Sequence, residues 1–267
     1  MSAASLQALQ RISLLVEVDS SNAFLLQLPA AERHGHAVLA EQQTAGRGRR
    51  GKSWQSPPGS NIYLSLGWNF QRSARDLSCL SLAVGVAAVR ALESQGITGL
   101  GLKWPNDIQA GVRKLGGILL ESKPAADAGI SVVIGIGINV AMPAEGDSAT
   151  AIDQPWTSVA GLNQVKPDSG LRDRLAGAVL EQLLSLLGSY EVDGFEPFRA
   201  DWQRLDLLFN QAVTVFSSEG EINGHALGID QQGNLRVAEE SSRGEQRLFS
   251  FNSAEVSVRR AGLAGHE

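Results

Sequence analysis

Gly46-Arg47-Gly48-Arg49-Arg50-Gly51-Lys52-Ser53-Trp54-Gln55-Ser56-Pro57-Pro58-Gly59 decides the fold class, because it spells two nucleotide-binding motifs and continues as neither. Gly46, four residues and then Gly51-Lys52-Ser53 spell a phosphate loop, while Gly46, Gly48 and Gly51 space as in a dinucleotide fingerprint. Both motifs require a helix directly behind them, whose N-terminal amides meet the phosphates. Pro57, Pro58 and Gly59 forbid that helix, and no acidic residue stands at a strand end about 20 residues further on. A doubly wound nucleotide fold is therefore set aside. What remains is the chemistry: glycines that let backbone approach an anion, and guanidinium forks that bind carboxylate or phosphate in pairs of hydrogen bonds. Arg47, Arg49, Arg50 and Lys52 crowd this loop without a carboxylate among them, a cluster that repels itself until an anion arrives. A solvated basic turn is the plain alternative.

Outward from the loop, the pattern is mixed. Apolar spacing at Leu6, Leu9 and Ile12 opens the chain, and Ser20-Ser21 ahead of Asn22-Ala23-Phe24-Leu25-Leu26 predicts a helix with a hydroxyl cap. Strand signals cover Ala37–Glu41 and Asn61–Trp68, where Ile62, Leu64, Leu66 and Trp68 face one way. A long helix is predicted over 74–94, then strands at Gly99–Trp104, Gly117–Glu121 and Ser131–Val140. Lys123–Gly129 is too short for a helical crossover, so the sheet should contain antiparallel pairs. Helical leucine spacing returns from Ser169 to Leu208, interrupted near Gly194 and Pro197. Beyond Asn210, short strands at Ala212–Phe216, Glu221–Ile229, Asn234–Val237 and Arg247–Val258 between Gly, Asn and Ser turns outline a small barrel. The predicted class is α+β, with a mixed central β-sheet flanked by helices over residues 1–209 and a small β-barrel over residues 210–267.

Composition excludes several functions. A chain of 267 residues, 43% hydrophobic, supports one substantial core with room for a small extra domain. No stretch approaches the roughly 18 consecutive apolar residues of a membrane helix, and Met1–Asp19 lacks a secretion signal, so no membrane partner and a cytoplasmic location are expected. A net charge of −5 argues against general affinity for nucleic acid. Cys79 cannot pair internally and reads as a small buried side chain, and four scattered histidines leave no zinc site.

Three further segments carry candidate chemistry. In Leu100-Gly101-Leu102-Lys103-Trp104-Pro105-Asn106-Asp107, the proline ends the strand after Trp104. Alternation then places Lys103 beside Gly101, which leaves space for a ligand, so its ammonium can neutralise a carboxylate or phosphoryl oxygen. An edge-strand lysine that deters aggregation is the simpler reading. Asn106 and Asp107 read as a turn, with Asp107 an optional magnesium ligand. In Val132-Val133-Ile134-Gly135-Ile136-Gly137-Ile138-Asn139, two glycines on one face suit a flat ligand, and the Asn139 amide can pair with an adenine edge; close packing and a turn residue would account for the same pattern. Ser20, Ser21, Asn22 and Gln43 are neutral hydrogen-bonding groups suited to a ureido ring, although capping alone explains the serines.

Taken in order, Asp19-Ser20-Ser21-Asn22, Gly46-Arg47-Gly48-Arg49-Arg50-Gly51, Lys103-Trp104-Pro105-Asn106-Asp107, Lys114-Leu115-Gly116-Gly117-Ile118-Leu119 and Gly135-Ile136-Gly137-Ile138-Asn139 resemble the biotin protein ligases. The resemblance implies a central sheet of the kind shared with class II aminoacyl-tRNA synthetases and an SH3-like C-terminal barrel. It implies that Ser20, Ser21, Asn22 and Gln43 hold the biotin head, and that Arg47, Gly48 and Arg49 enclose the biotin carboxylate and the adenylate phosphate. By the same likeness Lys103 contacts both reacting groups, Trp54 covers the adenine and Asn139 bonds its edge. Lys103 and Arg49 are the implied catalytic pair, while the role of Lys114 is left open. Ser21 stands where many relatives carry threonine, and the hydroxyl is retained.

The implied reaction consumes ATP with Mg2+, forms biotinyl-5'-adenylate and transfers biotin to a lysine of the biotin carboxyl carrier protein of acetyl-CoA carboxylase. Only 19 residues precede Ser20, too few for a winged helix, so a monofunctional ligase without DNA binding is expected. A homodimer is compatible with the resemblance. The rivals are a lipoate ligase on a related fold, a non-catalytic adenylate sensor and a phosphate-loop ATPase.

Overall fold

The structure is a computed structural model that describes residues 1–71, 77–125, 129–142, 152, 154–165, 168–218, 220–240, 246–253 and 256–260. Its main sheet has seven strands: β1 (Arg11–Val18), β2 (His36–Gln43), β3 (Ile62–Phe70), β4 (Leu100–Lys103), β5 (Asp107–Ala110), β6 (Arg113–Pro124) and β7 (Ile130–Ile138). They lie in the order β1-β2-β3-β7-β6-β5-β4. Only β1 and β2 run parallel, and the short β6–β7 connection makes an antiparallel pair, as its length requires.

Register separates the two faces of this sheet. Leu64 pairs with Ile136 and Ile136 with Ile118, and that row faces α4 (Leu80–Ser94), where Gly85 lies against Leu102 and Ile118. Together with α6 (Leu171–Asp193) and α7 (Glu196–Leu205), α4 buries this face in the main core. The opposite face is covered by α2 (Ser21–Gln27), held by the small cluster of Leu25, Val38 and Val133. The remainder of that face carries the site. Short helices α1 (Ala3–Ala8), α3 (Ala30–Arg33) and α5 (Val159–Leu162) complete this part of the chain.

Most predicted strands form with longer ends, and two strands were not anticipated. The spacing of Leu6, Leu9 and Ile12 mimics a helix, but α1 stops at Ala8 and β1 begins at Arg11, where Ile12, Leu14 and Val16 alternate outward on the sheet edge. β5 is four residues long, too short for a period to show. The helix predicted over 74–94 is formed from Leu80; residues 72–76 lie outside the described residues, as do 126–128 of the predicted β6–β7 loop. Gly194, with φ of 62°, makes the predicted break between α6 and α7.

A second, antiparallel sheet follows, with strands β8 (Ala212–Ser217), β9 (Gly220–Ile229), β10 (Leu235–Glu240), β11 (Gln246–Phe251) and β12 (Ser257–Arg260) in the order β11-β10-β9-β8-β12. The single strand predicted over Arg247–Val258 is two, because β11 joins β10 while β12 returns to β8. The two sheets share one core: Val213, Val215, Leu235, Val237 and Val258 belong to the same buried cluster as α4 and α6. Trp104, at the end of β4, donates its indole N–H to the Gly233 carbonyl at 3.0 Å.

Candidate active site

Lys103 pairs with Asp107, Asp107 with Gly117 and Gly117 with Gly137, so these four residues form one row across β4, β5, β6 and β7 on the face away from α4. The glycines do admit a flat group, and in this structure it is the Trp54 indole. A Cβ on Gly137 would lie 2.5 Å from the ring, and one on Gly117 3.2 Å from it. The Lys114 ammonium sits 5.5 Å above the indole and 2.7 Å from Asp107 Oδ1. Asp107 is therefore committed to Lys114. Among the described residues, no group of three or more His, Cys, Asp or Glu side chains could hold a metal.

The glycine-arginine loop is a hairpin and not a helix start. Arg47 bridges Ser53, Gly48 N–H donates to the Lys52 carbonyl at 2.7 Å, and Trp54 N–H donates to the Gly46 carbonyl at 2.9 Å. Arg50 (φ 56°) and Gly51 (φ 75°) turn the tip. The two arginines that flank Gly48 diverge. Arg47 Nη2 pairs with Glu121 Oε1 at 2.6 Å, whereas Arg49 Nη1 donates to Asn106 Oδ1 at 3.2 Å and its Nη2 to the backbone carbonyl of Ser253, between β11 and β12.

On the same sheet face, beside α2, a second polar group stands: Ser20 caps α2 by accepting from Ala23 N–H at 3.4 Å. Ser21 donates its backbone N–H and its hydroxyl to Gln43 Oε1, at 2.9 and 3.0 Å. Ser65 Oγ lies 2.8 Å from Ser21 Oγ and 2.6 Å from Asn22 Oδ1, and the Asn22 amide donates to Glu121 Oε2 at 3.0 Å. Ser21, Asn22 and Gln43 thus come together as the sequence predicts. Ser65 and Glu121 were missed. The signal for Ser65 was available: it is the polar side chain in the apolar run of β3, on the face opposite Leu64 and Leu66.

One local expectation changes. The space beside Gly101 is filled by Leu207, which would lie 2.4 Å from a Cβ there, so that glycine serves packing and leaves no ligand space. Asn139 is buried, and its amide donates to the Thr157 carbonyl at 3.1 Å, fixing the segment beside β6 where Trp156 bridges Lys114. Burial pushes the Lys103 ammonium below its ordinary range, opposed by Asp107 and reinforced by Lys114, Arg260 and Arg259. Burial likewise lowers the Arg49 guanidinium, against the pull of Asp107 and with the push of Arg50.

Residues 15–139 match the biotin/lipoate A/B protein ligase family, and residues 208–259 match the biotin protein ligase C terminal domain. Over 252 residues the chain is 35% identical to the bifunctional ligase/repressor of Escherichia coli, covering 94% of this chain and 74% of that one. The chain belongs to the biotin protein ligase family. It is also similar to the biotin--[acetyl-CoA-carboxylase] ligase of Mycobacterium tuberculosis, at 32% identity over 85% of this chain and 82% of that one. Its fold matches the biotin protein ligase from Aquifex aeolicus in complex with biotin and ATP, with a TM-score of 0.76 and 26% identity over 94% of this chain and 100% of that one. In this member of the biotin protein ligases, Lys114 stands over the Trp54 indole and pairs with Asp107, the residue that faces Lys103 across β4 and β5.

Proposed function

We propose that the chain joins biotin to ATP as biotinyl-5'-adenylate and then transfers the biotinyl group to one lysine of the biotin carboxyl carrier protein of acetyl-CoA carboxylase. One observation carries this reading. Arg49, Lys103 and Lys114 crowd a single carboxylate, Asp107, on the sheet face that also carries, near α2, a cluster of neutral donors and acceptors. Such a face suits a molecule with a neutral, hydrogen-bonding head and an anionic tail, set against a second anion.

In this reading Ser21, Asn22 and Gln43 hold the ureido head, with Ser20 setting the start of α2. Arg49, Lys103 and Lys114 bring the biotin carboxylate and the α-phosphate together by cancelling their repulsion. The carboxylate oxygen bonds to the α-phosphorus, and the bond to the pyrophosphate oxygen breaks. In the second step the amine of the acceptor lysine bonds to the acyl carbon, losing a proton, and AMP leaves with the electron pair. Gly48 lets the hairpin backbone approach, Arg47 closes the hairpin through Glu121, and Trp54 walls the site toward the adenine. Asn139 shapes the adenine edge through the Thr157 segment. Magnesium arriving with the nucleotide would supply neutralisation of phosphate charge, and Asp107, the acid beside the reacting groups, is held by Lys114.

The same proposal divides the chain near residue 210, at the entry to the second sheet. It places the protein in the cytoplasm, consistent with the lack of any helix among the described residues long and apolar enough to cross a membrane. The free edge of β1, with Ile12, Leu14 and Val16 exposed, supports a homodimer. Pyrophosphate exchange with biotin or lipoate, followed by transfer to a carboxyl carrier domain, tests the reading. Exchange driven by biotin with a labelled carrier lysine is expected; exchange driven only by lipoate would replace it with the lipoate reaction.

A further inference from the structure

The two arginines of the hairpin are held in opposite ways. Arg47, about half exposed, faces the carboxylate of Glu121 at 2.6 Å, so its charge is already met. Arg49 is partly buried, and both of its described partners are neutral oxygens, Asn106 Oδ1 and the Ser253 carbonyl. Asp107, the acid whose charge acts on Arg49, stands 2.7 Å from Lys114 and is shared electrostatically with Lys103.

Asn106 is itself fixed by two hydrogen bonds to Ile118. Its Nδ2 donates to the Ile118 carbonyl at 2.8 Å, and its backbone carbonyl accepts from Ile118 N–H at 3.0 Å. With the amide nitrogen committed to β6, only Oδ1 can face the guanidinium; the flipped amide would set donor against donor. A carboxylate at this position would hold Arg49 at the same place and cancel its charge. An amide holds it without adding a second carboxylate to Asp107, which Lys103 and Lys114 already share.

We propose that Asn106 is the positioning residue of the glycine-arginine hairpin: it orients Arg49 through a neutral oxygen, adding no carboxylate to Asp107, so that the guanidinium charge is kept for the substrate anion. This rests on the adenylation reading above, and it gives the turn residue a task beyond shaping the β4–β5 connection. Arg49 supplies the attraction, and Asn106 acts only through it.

Asn106→Asp tests the neutrality directly, since it keeps an oxygen toward Arg49 and adds the charge. Folded Asn106→Asp protein is expected to show a KM for ATP raised roughly tenfold and a comparably faster loss of bound adenylate, with Asn106→Ala losing only about threefold. A purely structural turn residue would give the reverse order, or equal losses. Arg49→Gln supplies the cycle: placed on that background, either Asn106 substitution is expected to add no further defect, because the two residues act as one unit. The inference is overturned by Asn106→Asp within about twofold of the unaltered protein, by Asn106→Ala at least as damaging as Asn106→Asp, or by defects that multiply with Arg49→Gln. Should Asn106→Asp fail to fold, the Asn106→Ala and Arg49→Gln pair decides by the same rule. The unaltered protein run alongside separates the two claims: if it makes no biotinyl-adenylate, the parent reading falls, whereas normal synthesis with indifferent variants removes only the role of Asn106.

Discussion

At the α2 end of the sheet face, Ser21, Asn22, Gln43 and Ser65 hydrogen-bond to one another, whereas at the β4–β5 end Arg49, Lys103 and Lys114 share Asp107. The neutral end is satisfied and rigid before any substrate arrives, so it selects by shape and by the direction of each donor. Among the described residues the cationic end gathers three cations around Asp107, so in the proposed reaction it attracts by Coulomb force and is completed by the substrate. Damage at the two ends should therefore look different: loss of chemistry at one, loss of head recognition at the other.

The largest contrast is expected from Lys114→Met, which removes the ammonium over Trp54. Biotin-dependent pyrophosphate exchange should fall on the order of 100-fold or more in kcat/KM, as when a preorganised charge is withdrawn from a developing anion. Retention of exchange within a few-fold would put the chemistry elsewhere. Next comes the alkaline limb of activity. Burial holds the Lys103 pKa below its ordinary 10.5, so the ammonium loses its proton, and with it the attraction, earlier than an exposed lysine would as pH rises. Lys103→Arg, which stays protonated throughout, should move that limb to higher pH; an unmoved limb would remove Lys103 from the reacting charges.

A milder effect is expected at the neutral end. Ser65→Ala deletes the hydroxyl shared by Ser21 and Asn22, at a stability cost of about 1 kcal/mol and a several-fold rise in the KM for biotin. The KM for ATP should not follow, and a parallel rise in both would dissolve the distinction between the two ends. Glu121→Gln is the smallest. It unpairs a half-exposed arginine, and since exposed ion pairs contribute about 0–1 kcal/mol, melting should shift by no more than a few degrees while the salt dependence of biotin binding steepens as Arg47 becomes available.

Much of this was legible locally. Alternation exposes β3 and β7, the Ser20 cap exposes α2, and Pro57-Pro58 rules out a helix after the basic hairpin. Residue type also marked Ser21, Asn22, Gln43 and Arg49 as groups for a ligand; the structure brings Ser21 and Gln43 into hydrogen-bond contact and sets Arg49 against Asn106. What escaped is non-local. Leu207 fills the space beside Gly101 from the far side of α6 and α7, and no pattern near Gly101 announces it. Asn106, the side-chain partner of Arg49, is 57 residues away, and the partner of Arg47 lies 74 residues on, so the division between an arginine held by a carboxylate and one held by neutral oxygens exists only once β5 and β6 are laid beside the hairpin. Spacing proposes which groups can meet; register decides which of them do.

The bond from Trp104 to Gly233 bears on whether the first 209 residues can stand alone. Trp104 is 2% exposed and follows Lys103 directly, and its indole N–H is satisfied only by a carbonyl in the β9–β10 turn. Truncation before that turn would leave a buried donor without an acceptor, a penalty of about 1–3 kcal/mol beside the lysine, and would remove the Ser253 carbonyl from Arg49 as well. The shortened protein should lose its grip on nucleotide even where its main sheet survives.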